Sequence, residues 1–264
     1  MSADEPVDPA VDFAEVDSME MTRLGRLHQL EVTPRRAELR RLAAANRIII
    51  DRLVSTSATV GQLAEAADRI EQIAAELAEF PTGQKYEGFA EAANAGAALS
   101  ENRSAAASLL EVGLGGDDPE RYAFFDHSPF IGLSNPLSPP IEMRYLENGV
   151  EATVTFGAAY EGPPGCVHGG YVAAAFDELL GCAQSLSGTQ GMTARLVVNF
   201  RSPTPLATAL RMEAELVSHE GRKITAAGRL FAGERLCAEA EGLFVSFEGE
   251  RFRELLEARI GRLG

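Results

Sequence analysis

The chain has 264 residues, 45% hydrophobic and 24% charged, an ordinary globular composition that excludes wholesale disorder. Its formal charge of −15 excludes nucleic-acid binding through a broad basic face, because phosphate contacts need clustered Lys and Arg. It contains no run of about eighteen apolar residues, so no integral membrane segment is expected.

The first twenty residues carry seven acids and no base. A secretory or mitochondrial leader has the opposite charge, so residues 1–32 read as an acidic, solvated tail and the protein as cytoplasmic. Three cysteines, Cys166, Cys182 and Cys237, leave one unpaired in any disulfide scheme and suit a reducing compartment. Cys166 and His168 alone make no metal site, and no metal or cofactor is expected.

A helical hairpin is predicted over 33–80. Thr33-Pro34 supplies a cap and a first-turn proline, and Leu39, Leu42, Ala43, Ile49, Ile50 and Leu53 recur at helical steps. After a break at Ser55–Ser57, Thr59 and Gln62 resemble a capping box ahead of Val60, Leu63, Ala67, Ile70, Ala74 and Leu77, and Pro81 ends the run. The apolar faces imply packing on the following domain or on another protomer. Residues 81–133, rich in Ala, Gly and Ser, read as a linker or arm.

From Ile141 the pattern alternates, predicting strands at Ile141–Glu147 and Val150–Phe156 joined by Asn148-Gly149, a strong hairpin signal. The segment from His168 to Gly188 is apolar nearly all round, so it reads as a buried helix. Extended runs follow at Met192–Arg201, Leu206–Ser218, Lys223–Phe231 and Arg235–Phe247, with a short charged helix within 250–264. One helix among six hairpin-linked strands predicts an α+β domain, its antiparallel sheet wrapped round a central helix.

Gly169 and Gly170 fall in the first turn of that helix, where backbone N–H groups lack intrahelical acceptors and can stabilise an oxyanion. Glycine content alone fits an empty tight turn equally well. Asp177 is a carboxylate in the middle of an apolar helix, expensive unless paired or used. A partly wet helix edge beside Glu178 would also accommodate it. Gly170 and Asp177 are seven residues apart, about 10 Å along a helix, too far to hold one reacting carbonyl. A two-fold mate with an antiparallel helix would bring Gly170 of one copy to Asp177 of the other, predicting a shared site and an obligate dimer.

The phrases VHGGYVAAAFDELLG, GMTARLVVNFRSPTPL and HEGRKI resemble the hotdog-fold acyl-CoA thioesterases, most of all the superfamily member 4 type, then the PaaI type. The likeness spans roughly 134–247, within an expected hotdog domain at 134–249, and leaves the helical extension unexplained. An acid nine residues past the His of HGG and a Thr sixteen further make it specific. The resemblance implies that the Gly170 N–H, with Gly169, polarises a thioester carbonyl. Asp177 attacks that carbonyl or activates a water that does, and Thr193 orients the water or the carboxylate. It implies that His168 fixes the turn more than it transfers protons. It further implies that Asn199, Arg201, Arg222 and Lys223 hold the CoA moiety, which is part of the substrate. Some such enzymes carry Asn or Gln six residues before the His, where this chain has Gly162. The implied product is a free acid plus CoA, from a homodimer or dimer of dimers. The competing reading is a non-catalytic acyl-CoA-binding module that signals through its helical half. GxSxG, the P-loop and GxGxxG are all absent.

Overall fold

Period-two burial builds the second half of the chain. In the computed structural model, which describes residues 34–80, 128–139, 141–146, 149–187 and 191–246, six strands form one antiparallel sheet. They are β1 (Glu142–Leu146), β2 (Gly149–Val154), β3 (Gly191–Phe200), β4 (Leu210–Glu220), β5 (Lys223–Ala232) and β6 (Arg235–Ser246), in the order β1-β2-β4-β5-β6-β3. The expected tail 1–32, residues 81–127 of the arm, Asn148 of the expected Asn148-Gly149 turn and the expected C-terminal helix lie outside the described residues, while Gly149 opens β2. The β4–β5 and β5–β6 turns fall where expected, with Gly221 (φ 58°) and Gly233 (φ 59°) taking the left-handed conformation that favours glycine.

Among the described residues two helices precede the sheet, α1 (Pro34–Leu53) and α2 (Val60–Ala78), and a third, α3 (Gly169–Ser185), lies on its inner face. Phe176, Leu179 and Leu180 of α3 are fully buried against Met212, Ile224, Leu230 and Phe244. The helix sits so close to the sheet that a Cβ on Gly228 or Gly242 would lie 3.2 Å from a Leu180 methyl. The burial expected all round this helix is met on one side only: Val172, Ala175, Phe176, Leu179 and Leu180 are buried, whereas Gly170 is exposed and Ala173, Ala174, Asp177 and Gly181 are half-buried.

Strand β4 begins later than its sequence pattern suggests. Residues 205–209 bend instead: Ala207 adopts φ 49°, its N–H donates to Phe156 O (2.8 Å), and the Leu206 N–H donates to Gly165 O (3.1 Å). The detour fastens this loop beneath the turn that leads into α3.

The capping box of α2 forms as expected, with Thr59 and Gln62 reciprocally bonded. Yet α2 has no buried residue, and Leu63, Ile70, Ile73 and Leu77 are 39–48% exposed, so the face expected to close on a neighbour stands open. Of the stripe expected on α1, Ala43 is buried and Leu39, Ile49 and Ile50 are half-buried, whereas Leu42 and Leu53 are exposed. Arg47 and Asp51 also reach the domain.

Candidate active site

Strand β3 carries a bulge between Thr193 and Arg195: Thr193 pairs with Phe244, while Arg195 pairs with Leu243. Paired residues of an antiparallel ladder share a face, so Thr193 faces α3 together with the core residue Phe244. The extra residue shifts the alternation and turns Arg195, Val197 and Asn199 to the outer face. On the inner side the Thr193 hydroxyl donates to Asp177 Oδ1 at 2.9 Å. Asp177 is half-buried and forms no other hydrogen bond among the described residues.

Next to it, Glu178 was not expected to matter. Burial, then the charge of Asp177, pushes its carboxyl up to about 7.

The start of α3 is capped by His168, whose Nδ1 accepts the Gly170 N–H at 3.0 Å. Nδ1 is therefore the unprotonated nitrogen of this ring. The Gly169 N–H has no hydrogen-bond partner among the described residues. Within one chain the two first-turn donors differ: the Gly170 amide is already engaged, and the Gly169 amide is free. A Cβ on Gly169 would lie 3.3 Å from Phe200 Cζ, so the exposed Phe200 ring rests against this turn. Before the helix, the His168 N–H donates to Tyr160 O at 2.8 Å. The Tyr160 ring meets Tyr171 and Phe156 edge-on, with centroids 4.8 and 5.4 Å away. Burial drives its hydroxyl up to about 12, so it stays protonated.

With Gly169 beside Phe200 and Asp177 beside Thr193, α3 runs antiparallel to β3. The two chemical ends of the helix therefore stand at opposite ends of that strand.

The four residues expected to hold CoA do not meet within one chain. Arg201 Nε donates to Glu239 Oε1 (3.0 Å) and Asn199 pairs in register with Glu239, both near the C-terminal end of β3. Arg222 Nε donates to Ser246 O (2.9 Å) and Lys223 pairs with Val245, level with the N-terminal end of β3. These ends are roughly 20 Å apart at the strand rise. Asn199 also lines an open outer-face cleft of about 600 Å³ with Glu213, Arg229, Glu239 and Glu241. The sequence reading missed Glu178, Phe200 and Tyr160, whose roles come from packing and carry no motif.

The family model described as "Thioesterase superfamily" matches residues 164–239. Acyl-coenzyme A thioesterase THEM4 of Bos taurus is 36% identical over 97 residues, which are 36% of this chain and 40% of that protein. The protein of the same name in Xenopus laevis is 32% identical over 91 residues, 34% of this chain and 41% of its own length. This chain thus spans about two fifths of the length of the curated relatives it matches. The crystal structure of a thioesterase superfamily protein is 31% identical, with a TM-score of 0.60, over 78% of this chain and 94% of that one. A share of 78% is more than residues 134–264 can supply, so that likeness reaches into the first half.

Proposed function

Since this chain belongs to the thioesterase superfamily, we propose that it hydrolyses the thioester of a fatty or related acyl-CoA to the free acid and CoA. The observation that carries this reading is the Thr193–Asp177 hydrogen bond on the helix whose first turn presents the Gly169 and Gly170 amides. A thioester carbonyl gains negative charge as its carbon turns tetrahedral, and fixed amides stabilise that charge without reorganising. Each such donor is worth about 3–4 kcal/mol of barrier. Asp177 attacks the carbonyl carbon, or takes the proton from a water whose oxygen attacks it. The C–S bond then breaks and the thiolate leaves, a good leaving group that needs no strong acid. Where Asp177 itself attacked, water then hydrolyses the resulting acyl–aspartate anhydride to the free acid and restores the carboxylate. Thr193 keeps one carboxylate oxygen in register. His168 sets the turn through Gly170, and its ring shares that amide with the arriving oxyanion.

The working unit of this proposal is a two-fold pair of chains. Strand β3 is an edge strand, with Met192, Val197 and Phe200 exposed by 58, 41 and 57%. A long apolar edge of this kind is a template for another strand. Because α3 is antiparallel to β3, antiparallel pairing of two β3 edges carries Gly169 and Gly170 towards Asp177 of the partner subunit. The same operation sets Asn199 and Arg201 at one end of the joint sheet with Arg222 and Lys223 of the partner subunit. That end concentrates cationic groups for the CoA phosphates in an otherwise acidic protein. The odd cysteine count supports a cytoplasmic setting.

The test is turnover of an acyl-CoA series by the full chain, with free thiol measured alongside binding. Release of CoA that disappears in Asp177→Asn, with binding retained, supports the reading. Binding without turnover at any chain length replaces it with a non-catalytic acyl-CoA module.

A further inference from the structure

The short 3₁₀ turn Ala158–Tyr160 that precedes the active-site loop begins at Gly157, a cap residue with no side chain to bond the turn's free N–H groups. Asp51, on α1 and 108 residues away in sequence, occupies that role. Its Oδ1 accepts the Ala159 N–H at 3.3 Å, and its carboxylate lies directly over Gly157. A Cβ built on Gly157 would collide with this carboxylate, whose Oδ1, Cγ and Oδ2 are the three atoms nearest to it. Gly157 itself has φ −83°, a conformation open to any residue. The glycine is needed there for the space Asp51 fills. One turn earlier on the same helix face, Arg47 Nη1 donates to Leu133 O (3.1 Å) and Asn135 O (2.9 Å), tying down the segment beside it.

The capped turn leads straight into the reacting end of α3. Its last residue, Tyr160, offers the carbonyl that holds the His168 N–H, and the His168 ring in turn holds the Gly170 N–H. We propose that Asp51, seconded by Arg47, is a positioning residue of the active site: α1 sets the oxyanion-binding amides of Gly169 and Gly170 through the Gly157–Tyr160 turn. The first half of the chain is then part of the catalytic apparatus. This inference rests on the thioesterase reading for its kinetic arm alone.

The experiment uses full-length Asp51→Ala, Asp51→Asn, Gly157→Ala and the Asp51→Ala/Gly157→Ala double variant. Each is assayed for kcat and KM with an acyl-CoA, for thermal midpoint, and for amide hydrogen exchange over 157–170. Asp51→Ala should lower kcat about tenfold with KM within about twofold, since misplacing a fixed group acts on the transition state. Asp51→Asn keeps an acceptor oxygen and should retain most of kcat. Gly157→Ala should reproduce the loss by expelling the carboxylate. In the Asp51→Ala background the three atoms nearest to the added methyl are gone, so the double variant should be no worse than Asp51→Ala. Faster exchange should be confined to 157–170. Full kcat in Asp51→Ala, additive losses in the double variant, or a kcat loss that merely follows a fall in thermal midpoint would each overturn the proposal. A wild-type chain without turnover would sink the thioesterase reading instead, and the exchange pattern would still decide whether Asp51 fixes the turn.

Discussion

The Thr193 hydroxyl donates to Asp177 Oδ1 across the gap between an edge strand and the central helix, at 2.9 Å. Just past Thr193, β3 carries a one-residue bulge. Without it, Thr193 could still face inward beside Phe244, but Asn199 would turn from the outer face towards the helix. A single irregularity therefore leaves Thr193 on the inner face of β3 and sets Asn199 on the outer one.

If Asp177 is nucleophile or base, Asp177→Asn should lower kcat by about 10²–10⁴-fold while far-UV circular dichroism and unfolding midpoint stay near wild type. Thr193→Ala removes only the orienting hydroxyl and should cost about tenfold or less in kcat. Steady-state kinetics on both variants check this. Wild-type turnover in Asp177→Asn would remove the residue from the mechanism.

Glu178 gives a pH prediction with a definite sign. Its carboxyl rises to about 7 in the fold from an ordinary 4.5, because burial and then Asp177 disfavour the charged form. The folded state binds this proton more tightly than the unfolded state. The associated stability is complete below about pH 4.5 and is lost as pH rises through about 7. Glu178→Gln should match wild type near pH 5 and be more stable near pH 8, by about 1–3 kcal/mol. Asp177→Asn should move the Glu178 transition back towards the usual carboxylate range. Urea unfolding at the two pH values measures the first effect. Equal pH dependence in wild type and Glu178→Gln would refute it.

Sequence alone led to the α+β sheet-and-helix domain, because alternation, Gly turns and one uniformly apolar segment each leave a periodic mark. The pairing of Asp177 with Thr193 came from the family resemblance that the HGG phrase carries. The sequence could not show that His168 occupies the Gly170 amide, because a cap bond depends on a ring torsion. Nor could it show that Asn199 and Arg201 stand a strand's length from Arg222 and Lys223, because that follows from pairing order. The docking of α1 was legible only in part. Periodicity marks Ala43, which is buried, and Leu39, Ile49 and Ile50, which are half-buried, whereas the polar groups of Arg47 and Asp51 find backbone partners visible only in three dimensions.

Close approach of α3 to the sheet makes Gly242 intolerant of a side chain. A Cβ there would lie 2.8 Å from Phe244 Cε2 and 3.2 Å from Leu180 Cδ1, both in the core. Gly242→Ala should destabilise by about 1–3 kcal/mol through overpacking, and Gly242→Val by more. Phe176→Ala, which empties a fully buried site, should cost about 3–5 kcal/mol. Chemical denaturation reports both, and a neutral Gly242→Val would mean that the helix stands further from the sheet.

A site divided between two chains makes a prediction that no single-chain site can imitate. Asp177→Asn keeps a good Gly170 turn but has no acid. Gly170→Val keeps Asp177 but fills the amide end, where an added Cβ would already lie 3.1 Å from His168 Nδ1. Each variant alone should be nearly inert. Co-refolded in equal amounts, half the dimers are mixed, and each mixed dimer has one intact and one doubly damaged site. Activity should therefore return to about a quarter of wild type per chain. Size-exclusion light scattering before and after mixing confirms that the mass is that of a dimer or a dimer of dimers. If the mixture stays as inert as its parents while chains demonstrably exchange, Gly170 and Asp177 do not act together across a two-fold axis, and the paired-chain arrangement is wrong.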